Sequence, residues 1–185
     1  MDFNKHFHLA GTHAFLSASK PHWLNYSDEK FDAVFVTSMA AQRGTELHAL
    51  AAEAIRLGVK LAGNGQTLNR YVNDAIGYRM TPEQLLYYSD DCYGTVDAIA
   101  FRRNKLRVHD LKTGVIPGNK TQLKVYAALF CLEYQMKPAQ IDIELRIYQN
   151  DDVLVYEGEP DEITHIMDKI ITFDKRIRKL RKEVR

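Results

Sequence analysis

The sequence predicts an α/β domain with a central mixed sheet of four to five strands flanked by helices. Three observations carry this. First, two apolar runs, Val96–Phe101 and Leu106–Leu111, enclose the polar stretch Arg102-Arg103-Asn104-Lys105, the pattern of a β-hairpin with residues 102–105 as its loop. Second, Ile141, Ile143, Leu145 and Ile147 alternate with Asp142, Glu144, Arg146 and Tyr148, which is strand periodicity. Third, a helix capped by Asn119 or Thr121 and running to Tyr134 separates hairpin from strand. A strand–helix–strand crossover sets its two strands parallel.

The remaining elements follow in order. Residues 1–15 show no clear periodicity, and Ser17 or Ser19 stands where it caps a short helix carrying Trp23, Leu24 and Tyr26. Ser38 precedes a long helical pattern, Met39–Leu57, which Gly58 stops. Leu47, Leu50, Ala51, Ala54 and Ile55 form its apolar stripe, bordered by His48 with Gly44 one turn earlier. Residues 58–80, rich in Gly and Asn, predict a loop and a short helix with the composition of a mobile flap. Thr81-Pro82-Glu83-Gln84 reads as a capping box with Pro at the first helical position, starting a helix that ends near Ser89. After Lys112, Thr113-Gly114 and Pro117-Gly118 break the strand. Gln149–Asp152 predicts a turn, Val153–Tyr156 a short strand, and Pro160 onward a long helix.

The 185 residues suit one domain with a sizeable core, and 45% hydrophobic with 26% charged residues is ordinary for a globular protein. A net charge of +1 averages over local concentrations. The last twelve residues, DKRIRKLRKEVR, are strongly basic, and Arg102, Arg103, Lys105 and Arg107 gather at the hairpin tip. Such runs form either solvated helix faces or phosphate-contacting surfaces. Two cysteines without CxxC spacing predict reduced thiols rather than a disulfide framework or zinc site. The polar, His-rich opening does not read as a signal peptide, and no stretch has the length of an apolar membrane span. A cytoplasmic protein with no membrane partner is expected.

In the hairpin register that pairs Phe101 with Leu106 and Ile99 with Val108, Asp97 falls opposite Asp110. Alternation places Asp97, Ile99 and Phe101 on one face with Leu106, Val108, Asp110 and Lys112. Two carboxylates with Cβ atoms about 5 Å apart destabilise a solvated hairpin. A divalent cation between them reverses the sign, because hard cations are bound by carboxylate oxygens. Downstream, Gln122 and Tyr126 stand four apart on one helix face.

Asp97, Asp110-x-Lys112 and Gln122-x-x-x-Tyr126 together resemble the PD-(D/E)XK nuclease superfamily, with Val96 standing where the family name puts Pro. GTVDAI, DLKTG, QLKVYA and RGTELHALAAEA resemble its RecB-like branch, from about Leu16 to about Tyr148. The resemblance implies a restriction-endonuclease-like core and a Mg²⁺- or Mn²⁺-dependent deoxyribonuclease, exonuclease in habit. Its metal would be held by His48, Asp97, Asp110 and the Leu111 carbonyl, with Lys112 orienting water or stabilising the transition state and Gln122 and Tyr126 steadying Lys112 or the phosphate. It further implies DNA as partner, contacted by Arg102, Arg103, Lys105 and Lys120. A recombination or repair role follows, in a phage or mobile-element setting, with a recombination or helicase protein as possible associate. Some relatives carry a four-cysteine iron–sulfur cluster, which two cysteines cannot build, so none is expected. Glu53 is either a supporting residue or solvated.

Two other classes fit parts of the sequence. One is a catalytically silent DNA- or protein-binding module of the same fold. The other is a serine acyl-transferase, for which Ser17-x-x-Lys20, Tyr71-x-Asn73 and Lys112-Thr113-Gly114 occur in the required order. Each of those motifs is short enough to arise by chance.

Overall fold

A computed structural model describes residues 4–9, 11, 12, 14–114 and 117–183. The chain divides into two compact units, Met1–Arg43 and Gly44–Arg185.

The first unit holds two short 3-10 turns, Phe7–Leu9 and Pro21–Asn25, and the opening half of helix α1, Asp28–Leu57. Ser27 starts α1: its carbonyl accepts from the Phe31 N–H at 2.9 Å and its Oγ from the Lys30 N–H at 3.3 Å. Asp28 and Glu29 in the first turn complement the helix dipole. The helix therefore begins eleven residues before the predicted Met39, and Ser38 is interior. The β-branched Val34, Val36 and Thr37 do not interrupt it, and the Thr37 hydroxyl bonds back to the Ala33 carbonyl at 2.8 Å. Phe15 meets Phe31 and Phe35 edge-on, with ring centroids 5.7 and 5.2 Å apart.

The second unit is an α/β layer structure. Its five-stranded mixed sheet runs in the order β1 (Thr81–Ser89), β2 (Cys92–Arg102), β3 (Lys105–Leu111), β4 (Asp142–Gln149), β5 (Asp152–Glu157). Only β3 and β4 are parallel, joined by helix α3, Lys120–Glu133. One face packs on α3 and on the terminal helix α4, Pro160–Glu183, through Val108, Leu145, Leu123, Ala127 and Ile163. The other packs on the end of α1 and on α2, Thr67–Gly77, through Ala98, Leu111, Ala54, Val72 and Tyr148. Residues 59–66 form the expected loop, but Tyr71, Val72 and Ala75 of α2 are buried, so the short helix of the segment expected as a flap is a core layer.

The predicted hairpin register holds, with Ile99 opposite Val108 and Phe101 opposite Leu106, but the loop is smaller. Arg102 pairs with Lys105, leaving a two-residue turn. Arg103 and Asn104 take φ of 50° and 61°, the positive values a type I′ turn requires. Asn119 caps α3, its side chain accepting from the Thr121 N–H at 2.8 Å.

The largest correction concerns residues 81–89, which form strand β1 instead of a capped helix. Antiparallel pairing with β2, from Thr81–Ile99 to Tyr87–Tyr93, outweighs the local Thr-Pro-Glu-Gln signal. The basic tail is partly committed internally: Arg181 grips Asp91 at 2.5 and 2.6 Å, and Arg178 meets the buried Asp174 at 2.8 Å. Arg185 lies outside the described residues. Among the described residues no helix is long and apolar enough to cross a membrane.

Candidate functional site

The site begins with an irregularity shared by β1 and β2. Val96 and Ile99 both pack on the α3 face, whereas Ala98 packs on the α2 face. Strict alternation cannot give that pattern, so β2 switches faces at Asp97. β1 switches with it: Thr81 pairs with Ile99, yet Leu86 and Tyr88 lie in the α3-face core. Glu83 and Asp97 are skipped between the pairs Pro82–Ala98 and Gln84–Val96, and Glu83 has a φ of 50°. One residue on each strand leaves the pleat at the same level, which keeps the register and frees two carboxylates.

From α1, His48 reaches the same place. Its Nδ1 lies 3.5 Å from Asp97 Oδ1, and the Asp97 carboxylate raises the His48 pKa above its ordinary value. His48, Glu83 and Asp97 each offer one donor atom within 4.8 Å of the others. Glu83 was hidden from sequence reading by the helical reading of its segment; the run of Leu85 to Tyr88, with its aromatic β-formers, was the signal that could have exposed it. Burial and the Asp97 charge raise its pKa.

Asp110 is buried on β3, and desolvation followed by the Asp97 charge lifts its pKa to about 6. Lys112 Nζ stands 3.0 Å from both Asp110 oxygens, but the geometry makes a hydrogen bond only to Oδ1. Oδ2 is buried without a hydrogen-bond partner. Lys112 also donates to Gln122 Oε1 at 3.2 Å, and Gln122 Nε2 donates to the Tyr126 hydroxyl at 3.2 Å. Asp110, Lys112, Gln122 and Tyr126 thus form one chain of contacts from β3 onto the first turns of α3. Gly94 makes room for the last member, since a Cβ there would lie 3.1 Å from Tyr126 Cε1.

The two acids are less starkly opposed than alternation implies. Asp97 Oδ2 accepts the Leu111 N–H at 2.8 Å, while Asp110 faces Lys112, so each carboxylate has its own donor. Leu111 is tied to the site through its amide, with its side chain in the α2-face core.

The segment after Lys112 is held by a residue the sequence did not flag. Gln149, nearly buried, donates to the Gly114 carbonyl at 2.6 Å and accepts from the Gly118 N–H at 3.0 Å. Gly118 presses close: a Cβ there would meet Ile147 Cγ2 at 2.7 Å and Lys112 Cγ at 3.2 Å. Because Ile147 is fully buried, Gly118→Ala is expected to destabilise the protein by about 1–3 kcal/mol, read as a lower midpoint in urea unfolding; an unchanged midpoint would refute this packing.

Other predicted residues lie elsewhere or have other tasks. Lys105 pairs with Glu144 at 2.8 Å, and the exposed Arg102 and Arg103 sit at the hairpin tip. Five residue steps of strand separate Lys105 from Asp110, about 17 Å along the chain. Lys120 Nζ lies 5.5 Å from the Tyr156 ring centroid. Glu53 pairs with Arg56 at 3.7 Å on the exposed side of α1. Tyr71 packs edge-on against Tyr148, and Asn73 bonds both backbone groups of Leu61 at 2.8 and 2.9 Å, so this pair serves packing. No protein-family model, curated protein or solved structure matches the chain.

Proposed function

We propose that this protein is a Mg²⁺- or Mn²⁺-dependent deoxyribonuclease of the RecB-like PD-(D/E)XK type, built on a restriction-endonuclease-like core. The observation that carries the reading is the Asp110–Lys112–Gln122–Tyr126 chain beside the His48, Glu83 and Asp97 donors. An imidazole and carboxylates suit a hard or borderline divalent ion, and Asp110 Oδ2, though 3.0 Å from the Lys112 ammonium, is buried without a hydrogen-bond partner. Burial and then the Asp97 charge raise the pKa values of Glu83 and Asp110, and the Asp97 contact raises that of His48, so one carboxylate bears on all three groups.

His48, Glu83, Asp97 and Asp110 would hold the ion, with the Leu111 carbonyl as a main-chain candidate. When bound, the ion supplies an acidified water and neutralises charge on the phosphodiester. Lys112 brings a fixed positive charge to the pentavalent transition state. Gln122 and Tyr126 set the Lys112 ammonium in place, and Asp110 holds its other side. Ion binding requires His48, Glu83 and Asp110 without their protons, and each has a raised pKa, so ion affinity rises with pH.

The test is digestion of linear and circular DNA with Mg²⁺ or Mn²⁺, comparing wild type with Asp97→Ala and Glu83→Gln. Metal-dependent cleavage that both substitutions abolish is expected. Cleavage unaffected by either removes the proposed site, and no cleavage by wild type leaves a binding module of the same fold.

A further inference from the structure

The first unit contains a cavity of about 160 Å³ that the hydrolytic site does not use. Phe15, Trp23 and Tyr26 give it aromatic walls, and Lys20 and His22 add an ammonium and an imidazole. Among the described residues no acidic side chain lines it. Trp23 Nε1 already donates to the Ser17 carbonyl at 3.0 Å, which fixes the indole and leaves ring surface as its contribution. The His22 and Tyr26 rings lie 5.8 Å apart, and Lys30 Nζ, outside the lining, covers one face of the Tyr26 ring at 4.6 Å from its centroid.

The size fits one flat ring, since an apolar cavity of about 150 Å³ accepts benzene. Aromatic walls with a lysine among them form the combination by which single strands are held: bases stack on side-chain rings while cations follow the phosphates. A base inside a duplex has both faces covered by its neighbours and cannot enter without being extruded. We infer that this cavity binds one unpaired nucleobase of single-stranded DNA, stacked on Trp23 and Tyr26 with its phosphate near Lys20. The choice of ligand rests on the nuclease reading; the cavity itself does not.

Trp23 is the single tryptophan of the chain, so its emission reports directly on the cavity. The full-length protein is titrated in EDTA, which prevents hydrolysis, with a short oligothymidylate and with blunt duplex DNA. Fluorescence anisotropy of the labelled DNA is followed in parallel. Saturable quenching by the single strand is expected, with little by the duplex. Tyr26→Ala should weaken single-strand binding about 5- to 150-fold. Lys20→Glu, at an exposed position, should also weaken it while leaving the thermal unfolding midpoint unchanged. DNA binding by anisotropy with unchanged Trp23 emission would overturn the proposal, as would quenching by an apolar peptide and not by the oligonucleotide. Quenching without any cleavage in Mg²⁺ removes the nuclease reading and keeps the cavity's role. Cleavage without quenching does the reverse.

Discussion

Lys112→Met is expected to lower DNA cleavage about 10²- to 10³-fold, the loss typical when one fixed charge at a transition state is removed. Methionine keeps the unbranched stem that packs under Gly118 while deleting the ammonium that touches Asp110 and Gln122. The four proposed ligands stay in place, so divalent-ion binding, followed by calorimetry, should persist. That split separates Lys112 from the ligands, whose removal should abolish binding and cleavage together. Undiminished cleavage by Lys112→Met would show that the chemistry does not pass through this side chain.

Asp110→Asn should produce the largest change in the pH dependence of stability. The carboxyl is buried, and its pKa is raised from 3.8 to about 6. A carboxyl that holds its proton more tightly when folded stabilises the protein fully below pH 3.8, and this contribution is lost as pH rises to about 6. The loss corresponds to about 3 kcal/mol, or about 6–12 °C in Tm for a chain of this size. Without divalent ions, wild type should therefore melt lower at pH 7 than at pH 4.5, and Asp110→Asn should flatten that decline. His48 adds a second fall of the same sign above pH 6.5, because its raised pKa also stabilises only while the ring is protonated. Mg²⁺ or Mn²⁺ at about a hundred times Kd should return about 2.7 kcal/mol to wild type. The response should be much smaller in Asp110→Asn. Equal pH profiles for the two proteins, scanned calorimetrically in EDTA, would show that Asp110 carries no such burden.

Much of the second unit was legible because local and long-range signals agree there. The apolar runs around residues 102–105, the Asn119 cap and the Ile141–Ile147 alternation each find the partner their pattern calls for. The turn came out shorter than read because Arg103 and Asn104 adopt positive φ despite lacking glycine, which composition does not announce. Thr81–Ser89 was misread because Pro and a capping-box spacing are strong local cues, whereas pairing with β2 is decided by residues far along the chain. The same misreading concealed Glu83. The register of Ile99 with Val108 was legible, but alternation could not show the switch of faces at Asp97, since a paired defect leaves the register unchanged. His48 was legible only in combination with the downstream acids, and Gln149 gave no sequence signal.

The shared face switch has a mechanical consequence. Above it, β1 and β2 are anchored in the packing beneath α3; below it, Ala98 and Ala100 of β2 are anchored beneath α2 while Ile99 stays beneath α3. Glu83 and Asp97 stand at the crossing, so neither can shift without dragging on both layers. Their spacing is set by the whole sandwich rather than by a pliable loop.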